Sequence, residues 1–143
     1  MRVSSILAFA GMVGGLAVLI AIDAIFATRP VTIAIQAAAV LLMIYARVTF
    51  GRRSFHAAAN PTEGGLVTSG PYAVLRHPIY AAVLYFTWAT IADHLSWITV
   101  GGGVLITAGA IARMLMEEQM LARRYPEYRD YMRRTRRVVP YLV

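Results

Sequence analysis

Four long apolar runs, separated by short polar segments, organise the chain. They cover about residues 5–27, 31–50, 78–93 and 95–113. A helix needs about 20 apolar residues, with about 17 to 25 tolerated, to cross the hydrocarbon core of a bilayer. The first and last runs reach this length unaided, and the other two need their flanking residues. The pattern predicts an all-α integral membrane protein with four transmembrane helices in two hairpins and a C-terminal helical tail over 114–143.

The composition supports a membrane protein and excludes several other classes. The 143 residues are 59% hydrophobic and 15% charged, whereas soluble domains average about 45–50% apolar and about 25% charged. A chain this apolar is not disordered, and without cysteine it has no disulfide, thiolate metal site or cysteine nucleophile. We expect one domain over residues 1–143 and no metal. The first run is longer than the core of a cleaved signal peptide, which spans about 7–15 residues.

Arginine supplies the whole of the basic charge and predicts the orientation of the chain. The net charge is +7, and arginines near span ends favour the cytoplasmic side. They concentrate between the second and third runs and after the fourth, so we expect both termini in the cytoplasm, at a bacterial inner membrane. Eight follow the fourth run: Arg113, Arg123, Arg124, Arg129, Arg133, Arg134, Arg136 and Arg137. We expect the tail arginines to contact anionic membrane lipids and not nucleic acid.

The segment that precedes the third run carries the first candidate chemistry. Pro78 suits the first turn of a helix, with Arg76 and His77 just before it and Tyr80 within it. A helix N-terminus presents free backbone N–H groups that hold an anion, and an arginine fork binds carboxylates at two points. These residues predict either an anion-binding site or a simple helix cap among lipid headgroups.

An acidic pair, Glu117 and Glu118, follows the fourth run by about one helical turn. The two carboxylates either pair with Arg113 or Arg123 at helical spacing, or bind a cation or a polar cofactor.

Farther on lie three tyrosines spaced three residues apart, Tyr125, Tyr128 and Tyr131. This spacing places them on one stripe of a helix, which is typical of packing.

These residues resemble a known family. Residues 70–80, G-P-Y-A-V-L-R-H-P-I-Y, resemble the G-x-Y-x-x-x-R-H-P-x-Y segment of the isoprenylcysteine carboxyl methyltransferase family, whose wider membership includes phospholipid methyltransferases. Residues 117–121, E-E-Q-M-L, followed by Y-P-E-Y-R-D-Y at 125–131 and Val139-Pro140, look like its second signature. Together the two blocks cover about residues 66 to 140.

The resemblance implies an integral membrane methyltransferase that uses S-adenosyl-L-methionine and releases S-adenosyl-L-homocysteine. It further implies a lipophilic or small acceptor, a carboxylate, thiol or amine, at the cytosolic face. Arg76 and Glu117 become the catalytic candidates that orient acceptor and methyl donor, although the sequence does not assign the two glutamates their separate roles. The cofactor-pocket candidates are Tyr72, Leu75, His77, Pro78, Tyr80 and Glu118. The chain departs from the family at Ala82, where glycine is frequent, and at Tyr125-Pro126, where Phe-Gly is common, so we expect a reshaped pocket.

Two other functions are compatible with the same residues. Some membrane sterol reductases, which use NADPH, resemble this C-terminal region, and a non-catalytic membrane scaffold is the third possibility. The acidic pair disfavours a phosphate-bearing cofactor.

Gly11, Gly14 and Gly15 form a small-residue face that can pack against another helix, within this chain or in an oligomer. Asp23 lies near the outer end of the first run, either at the interface or bonded within the bundle.

Overall fold

The computed structural model describes residues 2–51 and 65–140. This part of the chain contains no strand and forms five α-helices and a short 3-10 turn, Gly70–Ala73, which precedes α3. The helices are α1 (Arg2–Ala21), α2 (Pro30–Phe50), α3 (Pro78–Asp93), α4 (Trp97–Arg124) and α5 (Tyr128–Arg134). The all-helical class predicted from the hydrophobic pattern is confirmed.

Within the described residues, three helices are long and apolar enough to cross a membrane, namely Val3–Ala21, Pro30–Phe50 and Trp97–Arg124. The third helix has 16 residues and is therefore about 24 Å long at about 1.5 Å per residue, less than the hydrocarbon thickness of about 30 Å. Three of the four predicted spans are thus supported by helix length and composition, whereas the span expected over 78–93 stays a prediction.

Two helix ends differ from the ends of the apolar runs. The first helix stops at Ala21, and Asp23 follows with a left-handed φ of 55°, a conformation that aspartate tolerates better than most residues. Its side chain is exposed on the loop. The fourth helix continues eleven residues beyond 113, the predicted end of the membrane span, because helix-forming residues extend to Arg124 and no helix breaker occurs before Pro126. The acidic pair therefore lies on α4 itself.

The helices pair differently from the predicted hairpins of sequence neighbours. The first helix packs along α4, and α2 packs along α3, whereas α1 and α2 make little contact with each other. Glycines allow the first pairing: a Cβ on Gly15 would lie 2.7 Å from the carbonyl oxygen of Gly102. A Cβ on Gly109 would lie 2.6 Å from the carbonyl oxygen of Ala8. Part of the small-residue face of α1 is therefore used within the chain.

A polar network closes the end of the bundle that holds the α1–α2 loop. The Asp93 carboxylate accepts hydrogen bonds from the Thr28 hydroxyl at 2.8 Å and the Thr32 hydroxyl at 3.0 Å, and from the Thr28 backbone N–H. Deeper in, the Gln36 amide donates to the Thr90 hydroxyl at 2.7 Å. These contacts join the start of α2 to the end of α3. The cavity described below lies at the opposite end of the bundle, near the end of α2 and the start of α3.

Candidate functional site

A cavity of about 290 Å³ lies where α1 and α3 begin and α2 and α4 approach their ends. The 3-10 turn and α5 complete its wall. Six of the eight residues singled out from the sequence line it, namely Tyr72, Arg76, His77, Pro78, Tyr80 and Glu117. The other two, Leu75 and Glu118, are buried without lining the cavity. The structure thus brings both motifs together at one end of the bundle.

The local sequence explains how the first motif reaches this position. Gly70 opens the 3-10 turn with a φ of 56° and lies so close to α2 that a Cβ would come within 2.8 Å of the Thr49 hydroxyl. The turn brings the Tyr72 ring against Phe50, with ring centroids 5.5 Å apart. Pro78 then begins α3, where its fixed φ suits the first helical turn. The predicted helix start at this proline is confirmed.

The residues just before α3 pair with the chain that follows α5. The backbone N–H of Arg76 donates to the carbonyl of Arg136 at 2.6 Å, and that of His77 donates to the carbonyl of Arg137 at 3.0 Å. Leu75 forms an isolated parallel bridge with Arg136, which explains its burial outside the cavity wall. We call these contacts, with the Arg76 side-chain contacts described next, the tail junction.

The Arg76 guanidinium connects three parts of the chain. Its Nε donates to a Glu118 oxygen at 2.9 Å. Its Nη1 donates to the carbonyl of Met132 at 2.9 Å and to the carbonyl of Thr135 at 2.6 Å. Carbonyls at the end of a short helix lack partners within the helix, and a cation is favourable there. Arg76 therefore holds α5 against the cavity in addition to lining it.

Glu118 lies behind the cavity wall in a network of cations. Its side chain is 6% exposed and accepts from Arg76 and from Arg137, whose Nη2 lies 2.9 Å from Oε2. The His77 ring nitrogen Nε2 lies 3.4 Å away. The hydrogen bonds that Arg137 donates to Glu118 raise the pKa of Arg137. A buried carboxylate needs such compensating positive charge. The contacts with Arg76 and Arg137 also join α4 to the two chain segments that meet at the tail junction.

Consecutive residues of a helix point about 100° apart. Glu117 therefore faces the cavity although its neighbour Glu118 lies behind the wall. It accepts a hydrogen bond from the Tyr80 hydroxyl at 2.5 Å. Arg113 lies one turn earlier, with Nη2 at 3.5 Å from the same carboxylate and Nε donating to the Tyr80 hydroxyl at 2.7 Å. His77 Nδ1 approaches the other carboxylate oxygen at 3.7 Å. This three-residue group, Arg113, Tyr80 and Glu117, forms the charged end of the cavity.

Arg113 has a larger part in the site than its sequence position indicated. Its Nη1 lies 3.3 Å from both the carbonyl and the hydroxyl oxygen of Ser5, and its guanidinium lies over the Phe9 ring at 5.3 Å. It therefore connects α1 to α3 and α4. The sequence showed it as a charge at the end of an apolar run, which topology alone explains. The overlooked signal is an arginine followed by eleven more helix-forming residues, since a buried arginine inside a long membrane helix needs partners.

The tyrosine stripe both packs and lines the cavity. Tyr131 donates its hydroxyl to the carbonyl of Tyr72 at 2.7 Å. The buried Tyr128 hydroxyl has no hydrogen-bond partner within residues 2–51 and 65–140. Burial raises the pKa of Tyr72 and of Tyr128, and it raises the pKa of Tyr131 to about 12. The hydroxyls of Tyr72, Tyr128 and Tyr131 therefore stay protonated at neutral pH and can donate hydrogen bonds.

An apolar groove continues from the cavity between α1 and α2. Its volume is about 400 Å³, and the described residues that line it are apolar apart from Thr87. Four residues line both spaces: Phe9, Met12, Met43 and Val83. The groove exists because α1 and α2 make little contact, so the charged end of the cavity is continuous with an apolar space inside the bundle.

The predicted orientation also rests on two arginines between the second and third apolar runs. These residues, Arg52 and Arg53, lie outside the described residues. Within the described ranges, His, Asp and Glu form no group of three or more that could hold a metal ion.

Comparison with known proteins places the chain in a family. The profile of the phospholipid methyltransferase family matches residues 30–128, from the start of α2 to the start of α5. The nickel-cobalt-cadmium resistance protein NccN of Alcaligenes xylosoxydans xylosoxydans is 35% identical over 80 residues, which are 54% of this chain and 37% of that protein. The chain thus spans little more than a third of that relative's length, and no solved structure matches. Because the profile covers more than half of the residues, including the first motif and the acidic pair of the second, the chain belongs to the phospholipid methyltransferase family.

Proposed function

We propose that the protein is an integral membrane enzyme that uses S-adenosyl-L-methionine to methylate a lipophilic or small acceptor at the cytosolic face. The acceptor carries a carboxylate, a thiol or an amine. The observation that carries this proposal is the junction of two spaces: a cavity whose end holds Arg113, Tyr80 and Glu117, and an apolar groove between α1 and α2. Family membership supports methyl transfer as the reaction.

The residues of the cavity fit the proposed cofactor. The Glu117 carboxylate suits a positively charged group, and the buried Tyr128 hydroxyl offers a donor without a partner in the described chain. The volume of about 290 Å³ is at the lower end of the range for ligand sites, about 300–1,000 Å³. We assign cofactor contacts to Tyr72, His77, Pro78 and Tyr80, and a supporting role to Glu118 and Leu75. When bound, the cofactor supplies an electrophilic methyl group on a sulfonium.

The residues of the charged end supply orientation and proton transfer. Alignment of the reacting atoms and exclusion of water account for most of the catalysis that such a displacement requires. An amine or thiol acceptor gives up a proton, and Glu117 is placed to receive it as a general base. A carboxylate acceptor needs no base, and an arginine lining the cavity orients it. Arg76 fills that role in addition to its contacts with α5.

The groove suits the apolar part of an acceptor. A lipid chain that entered between α1 and α2 would keep its apolar body among methionine, valine and phenylalanine side chains. Its reactive group would then lie toward Glu117. We accordingly expect a membrane-derived acceptor to reach the site laterally and the cofactor to reach it from the cytosol.

The test is a calorimetric titration of the detergent-purified full chain with S-adenosylhomocysteine, with NADPH titrated in parallel. We expect micromolar binding of the first ligand alone, weakened at least tenfold in Glu117→Gln. The matched control is Glu127→Gln, at an exposed glutamate outside the cavity. Binding of NADPH alone would assign the protein to the reductases. If neither ligand binds, the enzymatic proposal is wrong and a scaffold is favoured.

A further inference from the structure

Six arginines near the C-terminal end of α4 and around α5 form an exposed basic surface. They are Arg123, Arg124, Arg129, Arg133, Arg134 and Arg136. Two exposed acids share the same stretch, Glu127 and Asp130, so this basic tail surface has a net charge of +4. Asp130 lies 3.7 Å from Arg133 with both side chains largely exposed, and such a pair offsets little of the repulsion.

The length of α4 places this surface at the level of lipid headgroups. Its 28 residues extend about 42 Å, which exceeds the hydrocarbon thickness of about 30 Å. Trp97 begins the helix and is 93% exposed, which suits a residue at the membrane interface. About 20 residues farther along, the hydrocarbon ends close to Glu117. Arg123 and Arg124 then lie about 10 Å beyond that boundary, among the phosphates.

The segment that presents these arginines also forms the tail junction. The side chain of Arg136 is exposed, while its carbonyl accepts the backbone N–H of Arg76. One turn earlier, the carbonyl of Met132 accepts from the Arg76 guanidinium, and the adjacent Arg133 is exposed. The junction therefore fixes in place a segment that carries several exposed like charges, and anions at the membrane surface offset the repulsion among them.

We propose that anionic phospholipid headgroups bind the basic tail surface and thereby stabilise the tail junction, so that lipid charge controls how firmly α5 covers the cavity. A ligand that binds the assembled arrangement better than the open one shifts the equilibrium toward it. The partner is the membrane itself and not a soluble phosphate. The effect on cofactor affinity rests on the proposed function, whereas the effect on the junction does not.

Hydrogen exchange of the full chain in nanodiscs tests the effect on the junction. One set of discs contains phosphatidylcholine only, and the other contains about one third phosphatidylglycerol. We expect the amides of Arg76, His77 and Thr135 to exchange at least fivefold more slowly in the anionic discs, and we expect 0.5 M NaCl to abolish the difference. Equal exchange in both discs would overturn the proposal. Slow exchange in neutral discs with added glycerophosphate would overturn the assignment to the membrane.

Charge-matched variants separate electrostatics from structure. The triple variant Arg129→Gln, Arg133→Gln, Arg134→Gln is expected to lose the lipid effect, whereas Arg129→Lys, Arg133→Lys, Arg134→Lys keeps it. An unchanged lipid effect in the glutamine variant would contradict the proposal. In the wild type, S-adenosylhomocysteine is expected to bind several-fold more tightly in anionic discs. If it binds in neither, the proposed function fails, and the exchange result still decides the role of lipid.

Discussion

Glu117 and Glu118 are consecutive residues of α4, yet the first faces the cavity beside Tyr80 and the second lies behind the cavity wall beside Arg76. Their side chains are 23% and 6% exposed. One carboxylate is therefore available to a ligand, and the other is engaged by arginines. This separation of roles distinguishes the two residues of the acidic motif, which the sequence alone treats as equivalent.

The first prediction exploits that difference. Glu118→Gln removes the buried charge that faces Arg76 and Arg137, and loss of one partner of a buried ion pair costs about 3 kcal/mol of folding stability. Glu117→Gln keeps a hydrogen-bond acceptor for Tyr80, and its site is partly exposed, so we expect a Tm close to wild type with ligand binding weakened at least tenfold. Thermal unfolding in detergent, together with S-adenosylhomocysteine titration, measures both. Equal losses of Tm would contradict the separation of roles.

The second prediction concerns Arg113. Its guanidinium contacts Ser5, Tyr80 and Glu117 at once. The compact ammonium of lysine does not reproduce this fork geometry. We expect Arg113→Lys to weaken S-adenosylhomocysteine binding about tenfold and Arg113→Leu to abolish it. Arg123→Leu, at an exposed position of the same helix that does not line the cavity, serves as the control for general effects of charge removal, with all titrations in detergent without anionic lipid. A ligand affinity in Arg113→Leu equal to that of the control would refute the positioning role.

The apolar groove gives the third prediction. Val40 lines the groove but not the cavity, so Val40→Trp fills the groove and leaves the charged end intact. We expect KM for a long-chain acceptor to rise about tenfold, in line with typical discrimination by apolar pockets, with S-adenosylhomocysteine affinity unchanged. Val48→Trp is the matched control on the same helix, because Val48 is exposed and lines neither space. A rise in KM of the same size in both variants would argue against a lipid site in the groove.

The packing of α1 on α4 gives the fourth prediction. A Cβ on Gly15 would lie 2.7 Å from both the Gly102 carbonyl oxygen and a side-chain carbon of Ile106, whereas a Cβ on Gly14 would meet no atom within 4 Å. Gly15→Ala should therefore destabilise the fold by about 1–3 kcal/mol through overpacking. Gly14→Ala should be neutral or slightly stabilising, because alanine favours a helix. Thermal unfolding of the two variants side by side provides the measurement. A Tm for Gly15→Ala at or above that of Gly14→Ala would show that the close approach is not required.

The sequence predicted those parts of the fold that local signals determine. Pro78 marks the start of α3 because proline suits the first helical turn, and an apolar run of suitable length followed by Gly51 agrees with the observed extent of α2. The apolar run predicted a span that ends near Arg113 and a helical tail after it, but not that α4 continues unbroken from one into the other to Arg124. The pairing of α1 with α4 depends on glycines more than 80 residues apart, Gly15 and Gly102, and no local pattern reports such a contact.

The site was predictable as a set of residues but not as an arrangement. The motif placed Arg76 and Glu117 in one site, and both line the cavity. Leu75 and Glu118 belong to the same motifs yet lie behind the wall, because side-chain direction depends on the bridge to Arg136 and on the rotation of α4. Arg113 was overlooked because a charge near a span end is explained equally well by topology. Distinguishing those two explanations requires the positions of Ser5 and Tyr80.

The last prediction tests the orientation of the chain in the membrane. The cavity and α5 lie at one end of the bundle, and the loop between α3 and α4 lies at the other. The chain contains no cysteine, so single variants report without background. In intact cells a membrane-impermeant maleimide should label Leu95→Cys, at a residue that is 77% exposed in that loop. Glu127→Cys, at an exposed position just before α5, should be labelled only after permeabilisation. Labelling of Glu127→Cys in intact cells would place the cavity on the outer face, where a cytosolic cofactor does not reach it.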